Sequence, residues 1–390
     1  MRNVFIAGVG LTSFGKQLGR GVRSLAIEAV DLALTDAGVQ PKDVQGIFFG
    51  NASAGVVSQQ EMIRGQVALR HHPLGPMPLI NVENACASGG TALHLAFEAV
   101  LTGRREAVLA VGVEQMHHQD KMRTFHALHG STDVEEIGEY VPGELASHSI
   151  LMDFYAGVAR DFMQHYGATA EDFARVAVKN RLHASMNPIA QFRTPQTLED
   201  VMSARCIVEP LTMPMCAPTT DGACALLVCS EEYLKKLSRR PVRVLTCQIS
   251  GSPGRGISPV IPAAHQAYEA AGLGPNDMQV IELHDAAAPA ELLQYSEIGL
   301  CPEGEGHLLV RSGATQLGGR IPINTSGGLL SRGHALGATG CAQVGELVQQ
   351  LRGEAGKRQV EGAQRAMAIN GGGWLDNTYA VTVATIMQTA

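Results

Sequence analysis

Three stretches of the sequence set reactive side chains where backbone geometry would activate them. In NVENACASGGTALHLAFEAV, residues 81–100, Cys86 precedes Ala92, Leu93, Ala96, Phe97, Val100 and Leu101, which recur at helical spacing. Small residues Ala87, Ser88, Gly89 and Gly90 crowd the first turn. The thiol therefore falls at a strand-to-helix junction, near unpaired N–H groups and the positive end of the helix dipole. Such a place lowers a thiol pKa from about 8.5 toward the thiolate, the form that attacks carbonyls. A buried structural thiol is the alternative reading of the same context. His334 lies among five glycines in NTSGGLLSRGHALGATGCAQV, residues 324–344, ahead of a long amphipathic helix. His284 and Asp285 lie in VIELHDAAAPAELLQY, residues 280–295, where an apolar strand ends. Ligands of open α/β sheets gather at that end of the strands, although Asp285 could instead cap a helix starting near Ala287.

An internal repeat predicts how these stretches come together. DAGVQPKDVQGIFFG (36–50) and AAGLGPNDMQVIELH (270–284) match at an offset of 234 residues through Ala37/Ala271, Gly38/Gly272, Pro41/Pro275, Asp43/Asp277, Gln45/Gln279 and Ile47/Ile281. Each ends an Ala-rich helix at Gly, turns through Pro and Asp, and enters a strand. A second match in the same order pairs helix 87–102, ending LTG, with helix 338–352, ending LRG. The chain reads as a duplicated β-α-β-α-β unit. Residues 1–116 begin the first half, 117–217 form an inserted lobe, 218–240 close the first half, and 241–390 form the second. In the repeat, the helix after His334 is the counterpart of the helix after Cys86. Their N-termini should face each other across a pseudo-twofold axis, with a base beside a thiol as nucleophilic catalysis requires. The lobe contains His117, His118, His126, His129 and His148, and insertions of this size commonly bind substrate.

Composition excludes several classes. With 45% hydrophobic and 17% charged residues over 390, the chain can bury a large core. A net charge of −7 offers no electrostatic reason to bind nucleic acid. No apolar run approaches a membrane span, and MRNVFIAGVG reads as a first strand, not a signal peptide. The eight cysteines form no CxxC pair, so no metal site or disulfide framework is expected, and scattered thiols suit a cytoplasmic protein. GVG at 8–10 lacks the spacing of a dinucleotide fingerprint.

Taken together, NACASGG, VKNRLHASMNPIAQFR (178–193), APTTDGACALLV (217–228), LHDAAAPAELL and NTSGGLLSRGHALGATG resemble, in order, the signature blocks of the thiolase superfamily, closest to the sterol-carrier-protein-type and archaeal members and to benzoylsuccinyl-CoA-type thiolase subunits. The resemblance implies the α/β thiolase fold, a five-layered α/β/α/β/α sandwich of two similar halves. It implies that Cys86 is the acyl-accepting nucleophile, that His334 takes its proton and helps form an oxyanion hole, and that His284 helps hold the water or carbonyl lining that hole. Backbone N–H groups near Gly372 would supply a second hole, with Asp285, Asn324 and Gly328 expected at the substrate. Acyl-CoA and coenzyme A would be the substrates, with no permanently bound cofactor. A homodimer is implied, with a small zinc-ribbon/OB-fold subunit as a further partner of some members. The family's second catalytic cysteine is replaced at both its usual places, by Ala286 and by Ile369 or Asn370, and the proline after the block's histidine is Ala335. Cys301 and Cys341 are the remaining nearby thiols. These departures keep two alternatives open beside thiolysis of a 3-oxoacyl-CoA: a partner-dependent retro-aldolase acting on a CoA thioester side chain, and a non-catalytic thiolase-like subunit.

Overall fold

A computed structural model describes residues 2–138, 149–235, 237 and 240–390. His148 lies outside the described residues. The strands are β1 (Val4–Leu11), β2 (Ile47–Gly50), β3 (Leu79–Val82), β4 (Ala107–Glu114), β5 (Cys206–Val208), β6 (Leu211–Thr212), β7 (Gly222–Ser230), β8 (Val242–Gly251), β9 (Val280–Glu282), β10 (Arg365–Gly372) and β11 (Val381–Thr389). All but β5 and β6 join in the order β3-β2-β4-β7-β1-β8-β11-β10-β9.

Read outward from the β1/β8 seam, the two sides are the same. The first runs β1-β7-β4-β2-β3, antiparallel at its first two steps and parallel at its last two. The second runs β8-β11-β10-β9 with the same senses, and Ile323 bridges Ile281 in parallel where the fifth strand would stand. Helices Val22–Ala37 and Val260–Ala271 both end at left-handed glycines, Gly38 and Gly272, as the repeat requires. Helices Ser88–Leu101 and Thr339–Arg352 pack on each other and touch strands of both halves, which makes them the middle layer of five.

The stretch inserted between β4 and β7 lies within the first half in sequence yet packs on the second. Tyr155, Ala159, Phe162, Phe173 and Val176 share one core with Val260, Leu283, Leu292 and Tyr295. Polar residues pin the same junction. Lys179 pairs with Glu291 at 2.9 Å, both buried, and Asn180 donates to Asp285 and Glu291 at 2.7 and 2.9 Å. No helix among the described residues is long and apolar enough to cross a membrane.

Candidate active site

Cys86 stands in the turn between β3 and the Ser88–Leu101 helix. Ala85 beside it takes a left-handed φ of +47°. The Ser88 hydroxyl holds that turn, accepting from the Asn84 N–H at 2.9 Å and donating to the Ala85 carbonyl at 2.7 Å. His334 stands in the corresponding turn before Thr339–Arg352. The two helices meet there through bare backbone. A Cβ on Gly340 would fall 2.3 Å from the Gly90 nitrogen, so no larger residue fits the crossing. This contact brings Cys86 Sγ within 3.3 Å of His334 Nε2, across 248 residues of sequence.

Hydrogen bonding fixes the histidine's tautomer. His334 Nδ1 lies 2.8 Å from Thr339 Oγ1. That hydroxyl gives its own proton to the Ala335 carbonyl at 2.9 Å, so toward the ring it can only accept. Nδ1 therefore carries the ring proton, and Nε2 turns its lone pair to the thiol. The His334 N–H donates to Thr220 Oγ1 at 2.9 Å, which anchors the turn.

The thiol is not the lowered one expected from its helix terminus. Cys86 is 7% exposed, and burial, aided by the Glu114 charge, pushes it up to about 12. Burial, His284 and Arg332 hold His334 well below the usual imidazole range. The dipole is a local effect, and here the removal of water outweighs it. At rest the pair is an uncharged thiol beside an uncharged imidazole, so attack must carry the proton to Nε2. Glu114, whose carboxyl burial raises, is also a tie. It accepts from Asn51 Nδ2, the Ser53 hydroxyl and the Gly337 N–H at 2.7, 2.7 and 3.0 Å.

His284 completes the group, its ring edge-on to His334 at 5.1 Å between centroids. Gln294 clamps its backbone, accepting from N–H at 3.1 Å and donating to the carbonyl at 2.8 Å. Burial and Arg332 hold its pKa down to about 3. Cys86, His284 and His334 each offer one atom within 4.8 Å of the others, the one such cluster of metal-capable donors among the described residues. Of the two candidates for the missing cysteine's place, Asn370 reaches the site and Ile369 packs in the core. Gly372 ends the same strand beside Cys86. A Cβ there would lie 2.3 Å from the Asn84 carbonyl and 2.5 Å from the Ala87 nitrogen, so glycine lets the strand end touch the nucleophile turn.

Three residues expected at the substrate stand elsewhere. Asp285 accepts from Asn180 Nδ2 and the Leu329 N–H, each at 2.7 Å. Asn324 accepts from the Leu283 N–H at 2.7 Å and donates to Glu291 at 2.6 Å. Gly328 lies against the Asp285 carboxylate, which a Cβ would approach to 2.2 Å. They form the framework behind His284 and do not line the cavity. Nor do Cys301 and Cys341, whose Sγ donates to the Gly89 carbonyl at 3.2 Å.

The cavity in front of Cys86 measures about 720 Å³. His284, His334, Gly372 and Ala286 line its floor beside the thiol, while Arg181, Arg193 and Arg205 line it from the inserted lobe. Trp374, Tyr155 and Tyr379 form an aromatic wall, with Trp374 edge-on to Tyr155 at 4.9 Å and to Tyr379 at 5.9 Å.

Residues 4–232 match the family model for the thiolase N-terminal domain, and residues 246–385 match the model for the thiolase C-terminal domain-like family. The chain belongs to the thiolase family. This thiolase is 37% identical to the benzoylsuccinyl-CoA thiolase subunit BbsB of Thauera aromatica, with 95% of each chain covered. It is 39% identical to an acetyl-CoA acetyltransferase of Methanothermobacter thermautotrophicus over 96% of this chain and 97% of the other. Human sterol carrier protein 2 is 38% identical over 95% of this chain and 70% of its own. Among solved structures, the Ltp2-ChsH2(DUF35) aldolase superposes with a TM-score of 0.80 at 28% identity, covering 99% of this chain and 98% of the other. Human mitochondrial 3-ketoacyl-CoA thiolase, in complex with CoA, shares the fold at a TM-score of 0.74 and 20% identity, over 100% and 98% of the two chains. The thiolase is an acyltransferase of the acyl-CoA C-acyltransferase type. Sequence reasoning missed Thr339, Glu114, Trp374 and Tyr379. Only Thr339 carried a signal, as a hydroxyl one helical turn beyond His334.

Proposed function

We propose that the enzyme cleaves a 3-oxoacyl-CoA by thiolysis through an acyl-enzyme on Cys86. The observation that carries this reading is the 3.3 Å contact between Cys86 Sγ and the lone-pair nitrogen of His334 at the cavity floor. As the thiol proton passes to His334, sulfur bonds to the 3-oxo carbon, with the developing oxyanion met by N–H donors from His284 or the Gly372 strand end. The C2–C3 bond then breaks, its electron pair leaving on C2 as a thioester enolate that takes the proton held by His334. Coenzyme A next gives its thiol proton to the freed His334 and attacks the acyl thioester, and the released Cys86 sulfur takes that proton back. Dividing the cleavage this way is what covalent catalysis supplies. No bound cofactor enters any step.

Arg181, Arg193 and Arg205 suit the phosphates of coenzyme A at the lobe side of the cavity. The wall of Trp374, Tyr155 and Tyr379 suits a bulky, branched or aromatic acyl group, in keeping with the relative named for benzoylsuccinyl-CoA. Intact-protein mass spectrometry after mixing with a 3-oxoacyl-CoA tests the reading. An acyl adduct on Cys86 that coenzyme A discharges is expected, and turnover with no adduct in quenched samples would replace it with the retro-aldolase reading. The aldolase neighbour favours that second reading and, with the relative named as a subunit, a partner subunit, for which the small zinc-ribbon/OB-fold protein implied by the family resemblance is proposed. A homodimer is proposed because edge strand β3 leaves Ile80 exposed, as are Met62 and Ile63. Eight unpaired cysteines favour a cytoplasmic, reducing setting.

A further inference from the structure

We infer that Asn370 is a positioning residue that locks His284 as a permanent hydrogen-bond donor, leaving His334 as the only base at the cavity floor among the described residues. The inference rests on the thiolase reading for its consequence but not for its geometry. Two backbone groups fix which way the Asn370 amide points. The Gly90 N–H can only donate, so the atom it meets at 3.2 Å is the amide oxygen. The Cys86 carbonyl can only accept, so the atom it meets at 3.1 Å is the amide nitrogen. That nitrogen bears no lone pair to offer, and it also lies 3.3 Å from His284 Nδ1. Nδ1 must therefore be the acceptor, and the ring proton must sit on Nε2. Nε2 has no protein partner among the described residues, and the ring lines the cavity.

The two imidazoles are thus held in opposite tautomers: His334 turns a lone pair toward sulfur, and His284 turns an N–H toward the substrate. The asymmetry has a chemical meaning. An N–H donor stabilises a carbonyl oxygen as it gains charge, in attack or in enolate formation, but it cannot remove a proton from carbon. With alanine at 286 and the asparagine amide at 370, no thiol stands at either of the family's usual places, and Cys216, the other thiol lining the cavity, donates to the Thr212 carbonyl and is pushed up to about 12 by burial. The site is then built to cleave a carbon–carbon bond and to resist the α-proton abstraction that condensation demands. The same lock counts against a metal ion, because a cation bridging Cys86 and both rings needs the Nε2 lone pair that the proton occupies.

Nitrogen-15 spectra of histidine-labelled enzyme read the tautomer directly, with His284→Gln assigning the resonance, and need no substrate. Neutral His284 protonated on Nε2 is expected at pH 7. A proton on Nδ1 would overturn the inference, even if thiolysis were established; absence of thiolysis would overturn the functional reading, even with the tautomer as expected. Asn370→Asp supplies the second arm, since a carboxylate oxygen accepts where the amide donated. His284 should move its proton to Nδ1 and present a base at Nε2. Deuterium exchange at the α-carbon of acetyl-CoA should then rise, on the scale of the roughly 10²–10⁴-fold that a placed general base supplies. Thiolysis kcat should fall by about 10²-fold as the donor is lost, with KM little changed. A folded variant with unchanged exchange and an unchanged His284 spectrum would refute the lock. Should the variant not fold, the wild-type spectrum alone decides.

Discussion

Replacing Thr339 with valine removes one hydroxyl and almost no volume from a fully buried position. In the wild type that oxygen accepts the His334 Nδ1 proton at 2.8 Å and donates to Ala335 at 2.9 Å. The variant leaves a buried N–H unpaired, which costs about 1–3 kcal/mol. The ring can avoid that cost by moving its proton to Nε2, where it opposes the Cys86 thiol and abolishes the base. Either way the loss falls on the step in which the thiol gives up its proton. At about 1.4 kcal/mol per decade, thiolysis kcat/KM should drop roughly 5- to 150-fold. Initial rates with a fixed 3-oxoacyl-CoA, paired with the rate of Cys86 alkylation, measure it. Thr339→Ser, which restores the hydroxyl, should recover activity to within a few-fold. A valine variant within two-fold of wild type would show that Thr339 does not orient the base.

Other outcomes follow from the same geometry. Iodoacetamide should alkylate resting Cys86 about ten-fold faster per pH unit through the neutral range, since a thiol raised toward 12 yields thiolate only as pH climbs. A plateau between pH 6 and 8 would instead reveal a thiolate–imidazolium pair. Cys86→Ala should lose the acyl adduct and nearly all thiolysis while keeping its circular dichroism spectrum and melting temperature. Lys179→Met removes the cation that lies 2.9 Å from the buried Glu291 carboxylate, and should destabilise the protein by about 3–5 kcal/mol in urea titration. Ala286→Cys, on the cavity floor, should gain α-hydrogen exchange with a simple acyl-CoA, read by mass spectrometry in deuterated water.

Local signals carried much of this site. The pairing of Cys86 with His334 was legible because two glycine-rich turns open two corresponding helices, and corresponding helix ends must meet when a duplicated unit closes on itself. The misplacement of Asp285, Asn324 and Gly328 has the opposite cause. Polar residues at a strand's end look free in a sequence, yet their partners Asn180 and Glu291 arrive on other helices. The raised Cys86 thiol was hidden for a related reason, since a helix terminus is local but the exclusion of water is collective. The choice between Ile369 and Asn370 needed β10 itself, where neighbouring side chains leave opposite faces. Trp374 and Tyr379 came together through the turn between β10 and β11, which carries no chemical signature in sequence.

The seam between β1 and β8 also bears on how the chain acquires its reactivity. β1 lies between β7 and β8, so Val4 finds its neighbours at Ser230 and Val244, more than half the chain away. Contacts of such sequence separation form slowly, because loop closure is paid for before it is rewarded. During synthesis β1 therefore waits for β7, which closes the first half, and Cys86 is made 248 residues before its base. A nascent chain at that stage has a nucleophile with no proton acceptor beside it. Base-assisted thioester formation needs both middle-layer helices packed together, so a chain truncated before His334 carries the nucleophile without the base that serves it.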